Sequence, residues 1–263
     1  MDNNEIKKAN RKALPQFKVF MAVSLIVGAV IGFCAAKYGL NTLTDGIKIA
    51  GAFFGNYIAP WLMAATAVIV PAVCIPIYRS AKKLLSAWDG ENEGISDTID
   101  KRLSIVIWVT SAALILSYFL IAASYSNAFE SFKSESNAVL FFVSIVGFAA
   151  IMLEAIIIQQ KCVDAAKKTN PEKTASVYDA KFQKKWIDSC DEAEKIVIGK
   201  CAFKAYAATN MVCTVLSVVL AVCALVFGIG FLPSLTVCLI WGINQSVYCK
   251  EALKYSKAGN RIS

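Results

Sequence analysis

Apolar residues in this chain are concentrated in long runs, without the short alternating or amphipathic patterns that are typical of soluble domains. Six runs are each close to the roughly 20 residues that an α-helix needs to cross a bilayer. They cover residues 17–36, 58–78, 105–124, 138–158, 207–227 and 231–248. The pattern predicts an all-α, polytopic membrane protein, with residues 1–263 forming a single integral membrane domain of six transmembrane helices.

The longest polar stretch lies between the fourth and fifth runs, at residues 159–206. Asn170 followed by Pro171 is typical of a helix start. Further on, apolar residues recur every three or four positions, which predicts one apolar stripe along a helix. The stripe comprises Tyr178, Phe182, Trp186, Cys190, Ala193, Val197 and Cys201. The stretch is therefore predicted to be a helical insertion, which either docks through Tyr178, Phe182 and Trp186 or offers these side chains to a partner or to the inner leaflet.

The composition agrees with this reading of the pattern. Hydrophobic residues make up 57% of the chain, the mean hydropathy is +0.56, and charged residues make up 17%, against about 25% in soluble domains. Six spans and the modest insertion use most of the length. No room remains for a separate catalytic domain.

The distribution of the 27 Lys and Arg residues predicts the orientation. Five lie in the N-terminal stretch through Lys18, five follow the second span, ten follow the fourth and four follow the sixth. Only Lys37, Lys48 and Lys133 lie on the opposite side. Because basic residues near span ends are retained in the cytoplasm, both termini and the 159–206 insertion are predicted to be cytoplasmic.

The residue inventory argues against several kinds of chemistry. The chain has no His, so it lacks the usual general base near neutral pH and the commonest metal ligand. Its nine Cys residues form no CxxC pair, and Cys within apolar runs behaves as a small buried hydrophobe. We expect no enzyme activity, no cofactor and no metal site.

The net charge of +8 does not by itself indicate nucleic-acid binding. The topology rule already accounts for the excess of basic residues. No basic stripe is interleaved with stacking aromatics on a folded domain, which single-stranded nucleic-acid binding favours. The expected charged partners are instead the anionic head groups of membrane lipids, and nucleic acid is not expected.

Four polar residues stand near the inner ends of the spans: Glu154, Asn210, Asn244 and Gln245. An acid inside an apolar run suggests function, because its burial in lipid is costly. Together the four residues are candidates to line a polar cavity open to the cytoplasm. The alternatives are a salt bridge or an interfacial position for Glu154 and interhelical hydrogen bonds for the amides.

Two further features concern the second span and the loop before it. Pro60, Pro71 and Pro76 are expected to break the span, because proline removes a helix hydrogen bond. Residues 46–54 have the pattern of a short amphipathic helix that lies at the outer membrane interface.

Several sequence segments resemble those of a known family. They are Asn170-Pro171-Glu172-Lys173, Val177-Tyr178-Asp179, Lys181-Phe182-Gln183-Lys184-Lys185-Trp186 and Ser189-Cys190-Asp191-Glu192-Ala193-Glu194-Lys195, together with Arg11-Lys12-Ala13-Leu14-Pro15-Gln16-Phe17 and Trp88-Asp89-Gly90-Glu91. The chain resembles the bacterial membrane proteins called domain of unknown function 3169, found mainly in Firmicutes. The resemblance implies a plasma-membrane protein of a Gram-positive bacterium, without an activity or catalytic residues to carry over.

Two functions are compatible with these features. The first is an accessory, sensory or immunity- or stress-type membrane protein that acts through contacts with a partner such as a transporter or a regulatory protein. The second is a small secondary transporter or channel that uses the polar cavity and the proline-containing span. The sequence does not indicate an oligomeric state.

Overall fold

The computed structural model describes residues 41–125, 135–170, 172–173, 175–227 and 229–256, together with positions 15, 18, 19, 22, 23, 26, 29, 30 and 33. The first predicted span and the two ends of the chain therefore lie largely outside the described residues. Throughout the described part, all regular secondary structure is helical. This confirms the all-α class for that part of the chain.

Seven α-helices are described. They are α1 (Asn41–Phe53), α2 (Ala59–Ala87), α3 (Glu93–Tyr125), α4 (Glu135–Thr169), α5 (Phe182–Asp188), α6 (Glu192–Phe227) and α7 (Leu232–Ser256). A π-helical turn, Phe54–Ile58, joins α1 to α2. Most of these helices extend several residues beyond the predicted spans, because the helical conformation continues into the polar flanks.

Four helical stretches within the described residues are long and apolar enough to cross a membrane. They are Asp45–Ala87, Gly94–Tyr125, Asn137–Thr169 and Glu192–Ala224. Helix α7 contains the sixth predicted run, but it is not among these four. The chain is thus a helical protein with membrane-spanning character.

The chain divides into two compact units, residues 48–198 and residues 1–47 with 199–263. The first unit is a bundle of α2, α3 and α4. Helix α3 is antiparallel to both neighbours, as the hydrogen bonds between their side chains show. Arg102 Nη1 donates to Ser80 Oγ at 2.5 Å, Gln159 Nε2 to Thr110 Oγ1 at 3.1 Å, and the Ser124 and Ser144 hydroxyls are 3.1 Å apart.

The core of this bundle is built mainly from aliphatic side chains with small residues between them. Fully buried members include Met63, Cys74, Ile99, Val106, Leu120, Ile151 and Cys162. Gly147 of α4 lies directly against Met63 of α2, and a β-carbon at this position would be 2.7 Å from Met63 Cγ. A small residue here allows the two helices to approach closely.

The sequence predicted that the prolines would break the second span, but they do not break α2. Pro71 and Pro76 lie inside a continuous α2, and Pro60 lies in its first turn, where a missing N–H costs little. The predicted helix at 46–54 exists, but it is not a separate element. It is part of α1 and continues into α2 through the π-turn, in which Ala59 N–H donates to the Phe54 carbonyl.

The insertion between α4 and α6 also differs from its prediction. The helix start at Asn170–Pro171 is wrong, because α4 ends at Thr169 and the described residues from 172 to 181 form turns and irregular structure. The apolar stripe is not on one helix either. It is divided between α5 and α6, with a break at residues 189–191.

The second unit contains α7 and the part of α6 that begins at Gly199. Its two helices are antiparallel. Tyr206 stacks on Tyr248 with 4.4 Å between the ring centroids, and Trp241 Nε1 donates to Asn210 Oδ1 at 3.0 Å.

Candidate functional site

A cavity of about 370 Å³ lies at the end of the three-helix bundle, between the start of α3, the end of α4 and the segment that follows. Its walls combine apolar, aromatic, charged and amide side chains, which is the usual composition of a small-molecule site. We call it the end pocket. It is lined by Asp100, Leu103, Ser104, Ile107, Val163, Ala166, Asn170, Lys173, Phe182, Trp186 and Glu194.

The connecting segment, residues 170–191, closes one side of the end pocket and is anchored to α4. The carbonyl oxygen of the Gln160 side chain accepts hydrogen bonds from Val177 N at 2.8 Å and from Ser176 Oγ at 3.1 Å. Gln160 Nε2 donates to Asp164 Oδ1 at 2.8 Å. Both the oxygen and the nitrogen of this buried amide thus make hydrogen bonds, and the amide holds a segment that lacks continuous helical structure.

Lys173 is the central polar residue of this segment. Its side chain is buried and forms an ion pair with Glu194, and its Nζ also lies 3.2 Å from Cys190 Sγ and 3.5 Å from the Ser189 carbonyl oxygen. The ammonium lies 5.5 Å from the centre of the Trp186 ring, a cation–π distance. Burial lowers the pKa of Lys173, but the hydrogen bonds to Glu194 and Cys190 outweigh this and raise its pKa overall. The side chain is therefore charged at neutral pH.

Glu194 also caps helix α6. Its carboxylate accepts a hydrogen bond from Asp191 N at 3.2 Å, while Asp191 Oδ1 accepts one from Glu194 N at 2.7 Å. This reciprocal pair is a capping box, with Asp in the position more often held by Ser or Thr. The Asp-x-x-Glu spacing is visible in the sequence, but the apolar stripe that passes through this position obscured it.

The three residues of the predicted docking face do not share one environment. Phe182 and Trp186 both line the end pocket, with 5.7 Å between their ring centroids. Tyr178 is 69% exposed and is not among the lining residues. The break in the stripe explains this, because Tyr178 precedes α5 and does not lie on the same helical face.

The outward side of the connecting segment carries apolar and basic residues together. We define the cap surface as Tyr178, Lys181, Lys184 and Ile187, all of which are exposed. Nearby, Asp179 forms an ion pair with Lys185 and accepts a hydrogen bond from Lys181 N at 2.8 Å. The hydrogen bond from Lys185, followed by that from Lys181 N, lowers the pKa of Asp179.

The predicted polar cavity is divided between the two units. Glu154 lies in the bundle on α4, and its Oε2 atom is buried without a hydrogen-bond partner among the described residues. Asn210 and Gln245 lie in the second unit and line a hollow of about 470 Å³. Asn244 lines a different hollow of similar volume, and its Nδ2 is buried without a partner in the described part. In the second unit, the amides are thus distributed over two hollows.

Two of these amides make interhelical hydrogen bonds. Asn210 Oδ1 accepts from Trp241 Nε1, and Gln245 Oε1 accepts from the Tyr206 hydroxyl at 2.5 Å. Such bonds are the common use of amides between membrane helices. Among the described residues, no group of three Cys, Asp or Glu side chains is arranged to hold a metal ion.

The chain belongs to the family described as protein of unknown function (DUF3169), whose sequence model matches residues 12–252. This confirms the resemblance seen in the sequence. Comparisons with curated proteins and with solved structures gave no match.

Proposed function

We propose that this DUF3169 member is a multi-pass protein of the bacterial plasma membrane that acts through contact of its cap surface with another membrane-associated protein. In this proposal it has six spans, and both termini and the connecting segment are in the cytoplasm. The role is accessory, sensory or of the immunity or stress type. It requires no catalysis and no cofactor.

The distribution of basic residues supports the orientation. Ten of the 27 Lys and Arg residues lie between residues 159 and 206, and three lie on the side assigned to the exterior. Positive residues close to span ends are retained in the cytoplasm during insertion. The same residues are attracted to anionic lipid head groups, so membrane lipids are the second expected partner.

The observation that carries the partner role is the ordered structure of the connecting segment. Gln160 and the ion pair of Lys173 with Glu194 hold the segment against the bundle and α6. Its apolar residues nevertheless include Tyr178 and Ile187, which are 69% and 43% exposed. A fixed surface that displays such side chains is suited to protein contact, because little conformational entropy is lost when it binds.

The charge of the cap surface indicates the chemistry of the partner. Lys181 and Lys184 form no ion pair within the described residues. Lys181 immediately precedes α5, while Lys184 and Ile187 lie on α5 three residues apart. Residues at this spacing lie on neighbouring positions of a helix surface. Basic residues around exposed apolar groups favour a partner with an acidic rim and an apolar centre.

Crosslinking in native membranes tests the proposal. A photoreactive residue at position 184 should give a defined adduct with a partner protein. The double variant Tyr178→Ser, Ile187→Ser should abolish the adduct, whereas Ile196→Ser, which alters an exposed residue of α6 outside the cap surface, should preserve it. The partner role would be overturned if the double variant and Ile196→Ser gave equal yields of the protein adduct, or if the only adducts were with lipid.

Glu154 supports transport or channel activity as a second candidate function. A buried carboxylate oxygen without a partner in a helix that is apolar enough to span a membrane is characteristic of proton or ion pathways. If this function is correct, Glu154→Gln should fold normally but abolish solute or proton movement by the purified protein in liposomes. Glu91→Gln is the control, because Glu91 is exposed in the turn between α2 and α3 and lines neither of the two hollows.

A further inference from the structure

The end pocket has few free hydrogen-bond donors. The Lys173 ammonium has three N–H groups, and three acceptors surround it: Glu194, Cys190 Sγ and the Ser189 carbonyl. The amide nitrogen of Asn170 donates to the Ala166 carbonyl at 3.4 Å and lies 3.1 Å from Thr169 Oγ1. The ammonium and amide donors of the pocket are therefore already engaged, so an anion would find no unpaired cationic side chain among the lining residues.

Acceptors are available at the same place. The carboxylate of Asp100 lines the pocket and forms no ion pair in the described part of the chain. It has a side-chain hydrogen bond with Thr169, and it experiences repulsion from Asp97 and Glu194 and attraction from Lys173. Since Lys173 is already paired with Glu194, Asp100 is the lining carboxyl group that has no ion-pair partner in the described part of the chain.

The remaining walls are suited to a short apolar body. Leu103, Ile107 and Val163 line the pocket on the bundle side, and the aromatic pair of Phe182 and Trp186 lines it on the opposite side. Because the Lys173 ammonium already lies over the Trp186 ring, the aromatic pair provides an apolar wall for the body of a ligand. The pocket therefore combines a carboxyl group without an ion-pair partner, aromatic rings and aliphatic walls within about 370 Å³.

We propose that the end pocket binds a small organic ammonium ion that carries N–H donors and a short alkyl or aryl body. The ammonium group donates to Asp100 and to the side-chain oxygen of Asn170, and the apolar body lies between Leu103 and Trp186. Charge-assisted hydrogen bonds of this kind are stronger than neutral ones. The site is distinct from the cap surface, so it is independent of the proposed partner role.

Calorimetric titration of the purified full-length protein in detergent tests this proposal with three probes of similar size. n-Butylammonium carries the charge and the donors, n-butanol has the alkyl body without charge, and butyrate reverses the charge. We expect n-butylammonium to bind at least about tenfold more tightly than the other two probes. Asp100→Asn should remove this preference, while Asp188→Asn, which neutralises an exposed acid outside the lining, should retain it.

A second variant distinguishes loss of the charge from loss of the fold. Ser104 is an exposed lining residue, so Ser104→Phe should block the pocket without overpacking the core and should abolish n-butylammonium binding. Equal binding of n-butanol, preferential binding of butyrate, or no binding of n-butylammonium at about 10 mM would each overturn the proposal. None of these outcomes would alter the result of the crosslinking experiment on the cap surface.

Discussion

Lys173 and Glu194 form an ion pair across 21 positions of sequence, which joins the connecting segment to the first turn of α6. Only 2% of the Lys173 side chain is exposed, whereas 39% of the Glu194 side chain is exposed. The lysine therefore depends on its partners for solvation, while the glutamate is also hydrated. This asymmetry determines the effect of removing either residue.

Lys173→Met should lower the free energy of unfolding by about 1–3 kcal/mol, the usual effect of removing a buried hydrogen-bonding partner. The partly hydrated Glu194 keeps the loss below that of a fully buried broken pair. Thermal unfolding in detergent measures this loss of stability. Lys168→Met is the control, because Lys168 is exposed and forms no ion pair in the described part of the chain. Equal unfolding temperatures for the two variants would contradict this role of Lys173.

The same pair predicts a pH dependence. The folded protein raises the pKa of Lys173. The contribution of Lys173 to stability is therefore fully present below its pKa in the unfolded chain, about 10.4, and is lost as pH rises through its pKa in the folded protein. The stability difference between the wild-type protein and Lys173→Met should be constant from about pH 7 to 9 and narrow above about pH 10.4. If the stability difference narrows already below pH 9, the pH dependence arises from a group other than Lys173.

Asp179 should act at the opposite end of the pH scale. The hydrogen bonds from Lys185 and Lys181 lower the pKa of Asp179 in the folded protein. The contribution of Asp179 to local stability is therefore present above its pKa in the unfolded chain, about 3.9, and is lost as pH falls through its pKa in the folded protein. Asp179→Asn should increase amide hydrogen exchange at residues 179–185 at pH 6. The difference from the wild-type protein should shrink as the pH falls below about 3.9, and a difference that persists unchanged there would contradict the role of the carboxylate.

Trp186→Ala and Tyr178→Ala should differ in their effects on stability. Trp186 is half-buried and contacts Phe182 and Lys173, so its truncation should cost about 1–3 kcal/mol, less than the 3–5 kcal/mol of a fully buried aromatic residue. Tyr178 is exposed, and its truncation should change stability by no more than about 0.5 kcal/mol. Chemical denaturation in mixed micelles compares them, and equal losses would mean that the stripe is one continuous docked face.

Gly147→Ala tests the close approach of α2 and α4. The added β-carbon would collide with Met63 Cγ at 2.7 Å, and such overpacking costs about 1–3 kcal/mol. Gly51→Ala is the matched control, because nothing lies within 4 Å of the new carbon there. In that helix the alanine should raise stability by about 0.5–1 kcal/mol, so the two substitutions should shift the unfolding temperature in opposite directions.

The proposed orientation makes a prediction about chemical labelling. In a variant without native Cys, single cysteines introduced at positions 41 and 132 should react with an impermeant reagent outside intact cells. A cysteine at position 180 should react only after the cells are opened. Modification of position 180 in intact cells would place the connecting segment outside and contradict the orientation.

The positions of the long helices could be predicted from the sequence, but the path of the connecting segment could not. Every apolar run from residue 58 onward lies largely or wholly in a described helix, because about 20 consecutive apolar residues are stable only as helix in a bilayer. The stripe from Tyr178 to Cys201 predicted a single helix, and the structure interrupts it at residues 189–191. There, Asp191 forms a capping box with Glu194, and this local hydrogen bonding outweighs the apolar periodicity.

The candidate site shows the same division. Glu154 was identified from its position in an apolar run, whereas Asp100, Asn170 and Lys173 were not recognised as members of one pocket. Asp100 lies on α3, whereas Asn170 and Lys173 lie in the connecting segment, so no sequence spacing relates Asp100 to the other two residues.

The sequence by itself determined the helical class, the membrane character, the family and the uneven distribution of basic residues among the segments that flank the apolar runs, because these properties depend on composition and on local runs of residues. Tertiary structure decided that Pro71 and Pro76 lie within a continuous helix, that Gly147 packs on Met63, and that Lys173 pairs with Glu194 beside the carboxylate of Asp100. These outcomes depend on which helices lie side by side and in which register. Such contacts join residues far apart in the chain, and only the packed bundle brings them together.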